Sequence, residues 1–329
     1  MNLLTRDNLS LSEPNRTPND NVFGSFAVSF NPVLDDRLRG YIDASLADAT
    51  RTAYRSDLDR FVAWGGSIPT TDVQIATYLA DHAETHAAAT LTRWIASIAK
   101  AHRAAGFHSP TGSELVRATL QGIRRSHGAA QRQAKPLLRD DLFTVLDMTG
   151  SGIRDVRDRA LLLLGFAGGF RRSELVGLDV SDLEHVRQGI IVTLRHSKTD
   201  QEGAGRKIGI PLGRTRWCPV AAITCWLDIA GMTEGPMFRP VDRHGKIGAG
   251  RLSGEAVSIV VRERVAAADI DPTGYSGHSL RAGFATSAAQ AGVSTLKIRA
   301  QTGHTSDAMV SRYIRDGELF VANAAARLL

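Results

Sequence analysis

The sequence has few cysteines and no apolar run long enough to cross a membrane. Its two cysteines, Cys218 and Cys225, lie seven apart in an apolar segment, where a helix with two buried, unpaired thiols is predicted. The strongest apolar run covers residues 160–167, whereas a membrane-spanning helix needs about 20 residues. The N-terminus lacks the apolar stretch of a signal peptide. The sequence therefore predicts a cytoplasmic protein that is not inserted in a membrane.

Metal-binding spacings of Cys and His, internal repeats and low-complexity tracts are also missing. What the sequence does have is an excess of positive charge: 40 Lys and Arg against 34 Asp and Glu, a formal charge of +6 and a pI near 9.6. This excess favours a polyanionic partner over an acidic-patch or metal-binding role. A merely basic soluble enzyme would have the same composition, so charge alone leaves both possibilities open.

Periodicity divides the chain into an arm, a helical domain and a linker. Residues 1–30 are rich in Asn, Ser, Pro and Asp without a sustained period, which predicts a disordered arm. Over residues 31–127 apolar side chains recur at helical spacing, most clearly in Thr50–Trp64 and in Ala88–Ala105, so this part is predicted to be an all-helical domain. Residues 128–136 are small, polar and basic and end in proline, as is typical of a linker.

The second domain, residues 137–329, combines helical and strand periods. Gly189–Arg195 and Arg206–Leu212 have the alternation of two β-strands in a hairpin, with Asp182–His185 as a candidate third strand. Helical periods precede and follow the hairpin, and Glu318–Leu329 is predicted to be a short apolar helix. The sequence therefore predicts a mainly α fold with a small antiparallel β-sheet, in two domains.

Side chains suited to anion chemistry recur through the second domain. Arg171 and Glu174 lie three apart directly after a glycine pair, so both are predicted on one helix face. His278 and Arg281 have the same spacing. The other candidates are a lysine between the two strands, a histidine after a glycine and a tyrosine nine residues later: Lys198, His304 and Tyr313.

Taken singly, each of these residues has an ordinary structural explanation. Tyr313 would be a core or rim tyrosine, Lys198 a hairpin-turn lysine and His278 a helix-start histidine. Arg171 and Glu174 would form a surface ion pair worth under ~1 kcal/mol. Together, however, the arginines and histidines could hold an anion and place a phenol beside it.

In this order, Arg-x-x-Glu-Leu, a turn lysine, His-x-x-Arg, Gly-His and a tyrosine resemble the tyrosine recombinases of the phage integrase family. The motifs keep their order across more than 140 residues. Thr50–Trp64 and Thr90–Gly106 also look like two helices of the DNA-clamping domain in the Cre-like, two-domain subgroup. His304 stands where Cre has tryptophan and most other members have histidine, a common family variant.

The resemblance implies cleavage of a DNA phosphodiester without metal, ATP or another cofactor, by positioning and charge stabilisation. It assigns Arg171 and Arg281 to the non-bridging oxygens, which guanidinium groups hold with forked donors. Tyr313 is the implied nucleophile, which would leave a 3′-phosphotyrosine and a free 5′-hydroxyl.

The resemblance also implies roles in proton transfer and orientation. Lys198 would be the general acid for the departing 5′ oxygen, and His278 would assist proton transfer at the tyrosine. His304 would hydrogen-bond the phosphate. Glu174 would hold Arg171 or His278 in place.

Basic helix faces are the candidate DNA contacts, although a charged face is usually only solvated. The family resemblance favours contact of these faces with DNA phosphates or bases. In the first domain the candidates are Arg51, Thr52, Arg55, Thr92, Arg93, Lys100 and Arg103, with the two threonines suited to base edges. In the second domain they are Lys246, Arg251, Arg262 and Arg264.

The resemblance implies an assembly as well. The two domains would form a C-shaped clamp on double-stranded DNA with inverted-repeat target sites. A homotetramer on two sites, one dimer per site, would exchange strands through a Holliday junction, in the cytoplasm of a bacterium or encoded by a phage or plasmid. Two alternatives remain open: a type IB topoisomerase or telomere-resolvase-like strand transferase, and an inactive DNA-binding regulator of the same fold.

In such assemblies the C-terminal helix docks into a neighbouring protomer, and residues 319–329 have an apolar face for this. Removing the residues after Arg315 should therefore abolish synapsis of two sites while sparing binding to one site. Recombination of a two-site plasmid and a gel shift with a single site measure the two effects. Recombination by the shortened protein would show that the docking idea is wrong.

Overall fold

The computed structural model describes residues 41, 45–128, 133–195 and 205–318. The chain divides into two compact units, Met1–Gln131 and Arg132–Leu329. Both units are mainly helical, and the second carries a small antiparallel sheet. This confirms the predicted mainly α fold with a small antiparallel β-sheet. The predicted arm and the predicted C-terminal helix beyond Glu318 lie outside the described residues.

The first unit is built from helices, two of which begin at a side-chain cap, at Thr71 and at Ser113. The helices are α1 (Asp48–Trp64), α2 (Asp72–Asp81), α3 (Ala88–Ala104) and α4 (Glu114–His127), with a 3₁₀ turn at Pro110–Gly112. The Thr71 hydroxyl accepts a hydrogen bond from the backbone N–H of Gln74 at the start of α2, as an N-cap residue does. Gly65 ends α1 in the left-handed conformation, with φ +109°.

Aromatic side chains hold the helices of the first unit together. Phe61 of α1, Tyr78 of α2 and Trp94 of α3 are buried, and their ring centroids lie 5.0 and 5.1 Å apart along this series. Aromatic pairs at such distances add stability beyond the area they bury. Leu91 and Ile98 extend the same core, so the apolar face of α3 faces inward as its period predicts.

The second unit begins with helices, continues with the sheet and ends with helices. Its elements are α5 (Arg139–Asp147), α6 (Ile153–Ala167), α7 (Arg172–Gly177), a 3₁₀ turn at Val180–Asp182, β1 (Leu183–Val186), β2 (Gly189–Leu194), β3 (Arg206–Pro211), α8 (Pro219–Ala230), α9 (Gly254–Ala267), α10 (His278–Gln290), α11 (Thr295–Thr302) and α12 (Asp307–Glu318). The sheet has the order β1-β2-β3, with both pairs antiparallel. Leu194 pairs with Arg206 at the open end of the β2–β3 hairpin.

Helix α6 is the centre of the second core. Its side chains from Ala160 to Leu164 are all buried. At Gly165 a Cβ would lie 2.8 Å from Leu280 of α10 and 2.9 Å from Leu175 of α7, so this glycine allows both helices to approach α6 closely. The two helices that begin beside Arg171 and at His278 are therefore packed on one support.

A separate, small apolar cluster packs the last helices. It contains Ala285 and Ala289 of α10, Ile298 of α11 and Val310 of α12, and Tyr313 lies against it. This packing brings α12 to α10 and so brings Tyr313 towards the start of α10.

Within the described residues, none of the helices is both long and apolar enough to cross a membrane. Both cysteines are free thiols, as predicted. Cys218 is buried, but Cys225 is exposed, because it lies on the outer face of α8, where the helix's apolar character continues onto the surface. The prediction of two buried thiols is wrong for Cys225.

Close packing of α10 on the first residues of the second unit generates a stability prediction. The backbone N–H of Leu137 donates to the Ser279 carbonyl at 3.0 Å, and a Cβ at Gly283 would lie 1.7 Å from the Leu137 carbonyl oxygen. Gly283→Ala should therefore lower the free energy of unfolding of this unit by about 3 kcal/mol, as overpacking does. Urea denaturation measures this change.

Gly177→Ala is the matched control, because Gly177 is also helical and a Cβ there would meet nothing within 4 Å. It should change the free energy of unfolding by no more than about 1 kcal/mol. An equally small effect of Gly283→Ala would contradict the close approach of α10.

Candidate active site

Arg171 is fixed by Glu174 at the start of α7. Arg171 is the residue before the helix, and its backbone N–H donates to Glu174 Oε2 at 2.9 Å. Its Nη1 donates to Glu174 Oε1 at 2.5 Å. The sequence predicts both residues on one helix face, but Arg171 stands outside the helix, where one carboxylate can hold its backbone and its side chain together. Glu174 is buried, so this pair is much more than a surface ion pair.

Arg281 lies one turn inside α10 and is 1% exposed. Its Nη1 donates to the carbonyl oxygens of Gly169, at 2.8 Å, and of Thr302. Its Nη2 is buried and has no hydrogen-bond partner in the described part of the chain. Burial, followed by the positive charge of Arg171, lowers the pKa of Arg281 to about 10. An anion beside Arg281 would offset both effects.

The carboxyl end of α11 is the common anchor of the site's arginines. Arg281 donates to the Thr302 carbonyl, and Arg171 Nη2 approaches the Gly303 carbonyl at 3.5 Å. Arg206, the first residue of β3, donates from Nη1 to the carbonyls of Ala300 and Gln301, both at 3.0 Å. The last carbonyls of a helix have no partner within it and carry partial negative charge, so they suit guanidinium groups.

His278, the first residue of α10, is in contact with Tyr313 of α12. His278 Nε2 lies 3.1 Å from Tyr313 Oη, within hydrogen-bonding distance. Desolvation by surrounding protein, and then the charges of Arg281, Arg171 and Arg172, lower the pKa of His278. His278 is therefore neutral at pH 7 and has one ring nitrogen free of a proton. A neutral imidazole at this distance can accept a proton from a phenol.

His304 is buried beside the ring of Tyr313, with the ring centroids 5.6 Å apart. Burial and the nearby arginines, Arg281 first, lower the pKa of His304 to about 3. The Thr302 hydroxyl donates its single proton to the Ile298 carbonyl at 2.7 Å and lies 2.7 Å from His304 Nδ1. It can then only accept from Nδ1, so His304 carries its proton on Nδ1 and leaves Nε2 as an acceptor.

Lys198 lies outside the described residues. The segment that contains it, residues 196–204, joins the ends of β2 and β3, where Leu194 and Arg206 pair. The other six predicted catalytic residues lie in the second unit. The contacts above join Arg171 to Glu174, His278 to Tyr313, and Arg281 and His304 to Thr302.

Arg206 and Thr302 are the site residues that the sequence analysis missed. Arg206 begins a predicted strand, where a basic residue next to a polar turn draws no attention. Thr302 belongs to the Thr-Gly-His motif, in which only the histidine was singled out. The only signal for either was the neighbourhood of His304 and of the Lys198 turn.

The candidate DNA contacts of the first unit differ in their partners. Arg93 donates from Nε and Nη2 to the buried carboxylate of Asp57, at 3.0 and 2.7 Å, and its side chain is still 49% exposed. Arg51 pairs with Asp48. The Thr92 hydroxyl donates to the Ala88 carbonyl and accepts from Arg124. The remaining candidates are exposed or, for Lys100, half-buried: Thr52, Arg55, Lys100 and Arg103.

Arg264 and Arg251, two of the second-unit candidates, stabilise the protein itself. Arg264 pairs with the fully buried Asp158 at 2.6 Å and with Asp155 at 2.7 Å. A buried carboxylate needs such a partner, because an unpaired buried charge is strongly destabilising.

Arg251 likewise donates to two backbone carbonyls and to Asp179. Because their donors are engaged within the protein, Arg251 and Arg264 are not among the DNA contacts that we propose. Lys246 is exposed, and Arg262 is half-buried with Glu255 as its partner.

The Thr302 contact generates a prediction about the His304 ring. Thr302→Val keeps the side-chain shape but removes the acceptor, and an unsatisfied buried N–H costs about 1–3 kcal/mol. The population ratio of the Nδ1–H form to the Nε2–H form should therefore fall by about 5- to 150-fold. Nitrogen-15 NMR of labelled histidine measures the two forms.

Thr286→Val is the matched control, because the Thr286 hydroxyl is also buried but bonds to none of the described residues. It should leave the His304 spectrum unchanged. A Thr302→Val protein with the same Nδ1–H form as the unmutated protein would contradict the assignment.

Comparison with known proteins places this geometry in a family. Residues 135–318 match the sequence model of the phage integrase family. An integrase/recombinase XerD homologue of Selenomonas ruminantium is 39% identical over 311 residues, covering 92% of this chain and 91% of that protein. The recombinase Cre of Escherichia phage P1 is 26% identical over 246 residues, covering 69% and 70% of the two chains.

A solved structure agrees in fold. A lambda integrase tetramer bound to a Holliday junction superposes with a TM-score of 0.60 at 19% identity, covering 86% of this chain and 76% of that chain. The family model covers more than half of the chain, and the Selenomonas relative matches nearly all of it. The chain belongs to the phage integrase family, the tyrosine recombinases.

Proposed function

We propose that the protein is a site-specific DNA recombinase that cleaves and rejoins DNA through a covalent bond to Tyr313. The observation that carries the proposal is the 3.1 Å approach of the Tyr313 hydroxyl to the neutral ring of His278, at the start of the helix that carries the buried Arg281. A phenol, a proton acceptor and an anion-binding group are the parts that such a reaction needs.

The scissile phosphate is bound by Arg171 and Arg281. Both guanidinium groups are held by backbone carbonyls or by Glu174, so neither has to be ordered when DNA binds. Donors fixed in advance stabilise developing negative charge without a reorganisation cost. Glu174 acts as the positioning residue of Arg171, since its contacts are with Arg171.

Tyr313 Oη attacks phosphorus, and its proton passes to His278 Nε2. The new bond joins the tyrosine oxygen to phosphorus, and the bond that breaks joins phosphorus to the 5′ oxygen of the next nucleotide. Lys198 donates the proton that the departing oxygen needs, a role taken from the family resemblance. Attack by a 5′-hydroxyl on the phosphotyrosine reverses these steps, so rejoining requires no ATP.

His304 can donate a hydrogen bond to the phosphate from Nε2 only if its ring gains a second proton. In the Nδ1–H form the Nε2 atom is an acceptor, so donation to a phosphate oxygen requires a second proton on the ring. The phosphate charge favours that proton, because it offsets the arginine charges that hold the pKa of His304 near 3. His304 would thus become a donor in the DNA complex.

The proposed partner is double-stranded DNA with inverted-repeat sites. A helical domain of residues 31–127 and a catalytic domain of residues 137–329, joined by a linker over residues 128–136, would clamp it. Exposed groups of the first domain, among them Arg55 and Arg103, supply phosphate contacts. The relatives named as recombinases and the lambda integrase tetramer on a Holliday junction support a homotetramer on two sites.

Covalent trapping tests the nucleophile. A pool of nicked duplexes with a randomised segment is incubated with the protein, and the mixture is resolved on a denaturing gel. The cut strand cannot be rejoined when the short product diffuses away, so the unmutated protein should accumulate an adduct. Tyr313→Phe lacks the attacking oxygen and should give none. Sequencing of the trapped DNA also recovers the preferred site.

Tyr275→Phe is the control variant, because it removes a phenol hydroxyl from the same unit outside the site. It should keep the adduct. Two results would overturn the nucleophile assignment: no adduct from the unmutated protein, or an adduct that survives in Tyr313→Phe.

A further inference from the structure

Arg206 is a charged residue of the site that the proposed reaction does not use. Its guanidinium lies against the backbone just before His304: a Cβ at Gly303 would lie 2.7 Å from Arg206 Cζ. Gly303 has φ +68°. Its missing side chain therefore serves both the left-handed turn after α11 and the close approach of this arginine.

The two terminal nitrogens of Arg206 differ in their hydrogen bonds. Nη1 donates to the last carbonyls of α11, as arginines near helix ends do. Nη2 is also buried but has no hydrogen-bond partner among the residues that the structure describes. A charged donor that is buried without a partner destabilises the protein. Helix capping therefore explains the position of Nη1 but not that of Nη2.

The partners of Arg206 differ from those of the structural arginines. Arg93, Arg251 and Arg264 each pair with an aspartate. No such pair is formed by Arg206 with any carboxylate of the described residues. Its surroundings are instead Arg171 and Glu174: burial and the charge of Arg171 lower its pKa, and Glu174 opposes this. The positive charges of Arg206 and Arg281 in turn lower the pKa of His304.

Arg171, Arg281 and Arg206 thus share Glu174 as their only nearby carboxylate among the described residues. Arg281 Nη2 is in the same position as Arg206 Nη2, buried and without a partner. Like charges held together in a buried place repel each other unless an anion joins them. A bound anion would both balance the excess positive charge and accept hydrogen bonds from the Nη2 atoms of Arg206 and Arg281.

We propose that Arg206 is a third guanidinium of the phosphate site, with Nη1 fixed on α11 and Nη2 available to a non-bridging oxygen. The proposal rests on the proposed function for the identity of the anion, a DNA phosphodiester. Because Nη2 is covered in the free protein, entry of the phosphate must move the side chains that cover it. Arg206 would then contact the reacting group and be a catalytic residue.

Inorganic phosphate tests the anion site without DNA. Its dissociation constant is measured by NMR titration of the histidine signals in the unmutated protein, in Arg206→Gln and in Lys207→Gln. Lys207 is the matched control: it is the next residue, loses the same charge and points to the other face of the strand. Arg206→Gln should weaken phosphate binding about tenfold or more, and Lys207→Gln should change it little. Equal effects of the two variants, or no binding to the unmutated protein, would overturn the proposal.

A methylphosphonate at the scissile position tests the role in the reaction, because it removes the charge that Arg206 would neutralise. Arg206→Gln should slow adduct formation on the ordinary phosphodiester about 100-fold, as loss of a transition-state donor does. On the methylphosphonate, Arg206→Gln should slow adduct formation by less than about 10-fold. On the ordinary phosphodiester, the rate of Arg206→Lys should lie between those of the unmutated protein and Arg206→Gln. Lys207→Gln should keep the substrate ratio of the unmutated protein.

The outcomes separate this inference from the proposed function. If the unmutated protein forms an adduct but Arg206→Gln loses the same factor on both substrates, or loses all activity on both, Arg206 is only structural. If the unmutated protein forms no adduct on either substrate, the proposed function fails, and phosphate binding alone decides whether Arg206 belongs to an anion site. Thermal unfolding of each variant shows whether it is folded.

Discussion

The carboxyl end of α11 is the feature on which the rest of the site depends. Its last carbonyls, with that of Gly303, accept hydrogen bonds from guanidinium groups that arrive from three separate parts of the chain. Arg171 comes from the start of α7, Arg281 from α10 and Arg206 from β3. A helix end leaves these carbonyls without internal partners and gives them partial negative charge. The backbone therefore orients the arginines, and one carboxylate, Glu174, is enough to complete their support.

This arrangement has an electrostatic cost that explains the state of the histidines. Positive groups are held close together and away from water, so any further positive charge is disfavoured. Burial first, and then the charges of these arginines, lower the pKa values of His304 and His278, so both are neutral in the free protein. A neutral imidazole is what a tyrosine nucleophile requires as a proton acceptor. The charge that is proposed to bind the phosphate thus also helps to keep the histidine beside Tyr313 neutral, and a bound anion would relieve the repulsion.

Local pattern was enough to predict the elements but not the contacts between them. The helical period predicted α3 to within a residue, because that signal lies within a few positions of the chain. The roles of Arg251 and Arg264 depend on Asp179 and Asp158, which are 72 and 106 residues away, and no periodicity reports such a pair. Arg171 was placed inside α7 although Glu174 holds it in front of the helix. Arg206 was missed because its importance comes from α11, 94 residues later.

Tyr313 packs on a different apolar cluster from the one that supports the arginines of the site. The arginines are supported by the main core around α6, with Leu280 and Leu175 packed on Gly165. Tyr313 lies against a cluster whose buried members are two alanines, an isoleucine and a valine, which bury little apolar area. Segments with few buried apolar contacts open at lower free energy than the core that carries them. A movement of α12 would withdraw the Tyr313 phenol from His278 while Arg171, Arg206 and Arg281 keep their places, so in the proposed reaction phosphate binding and attack by Tyr313 would be separable steps.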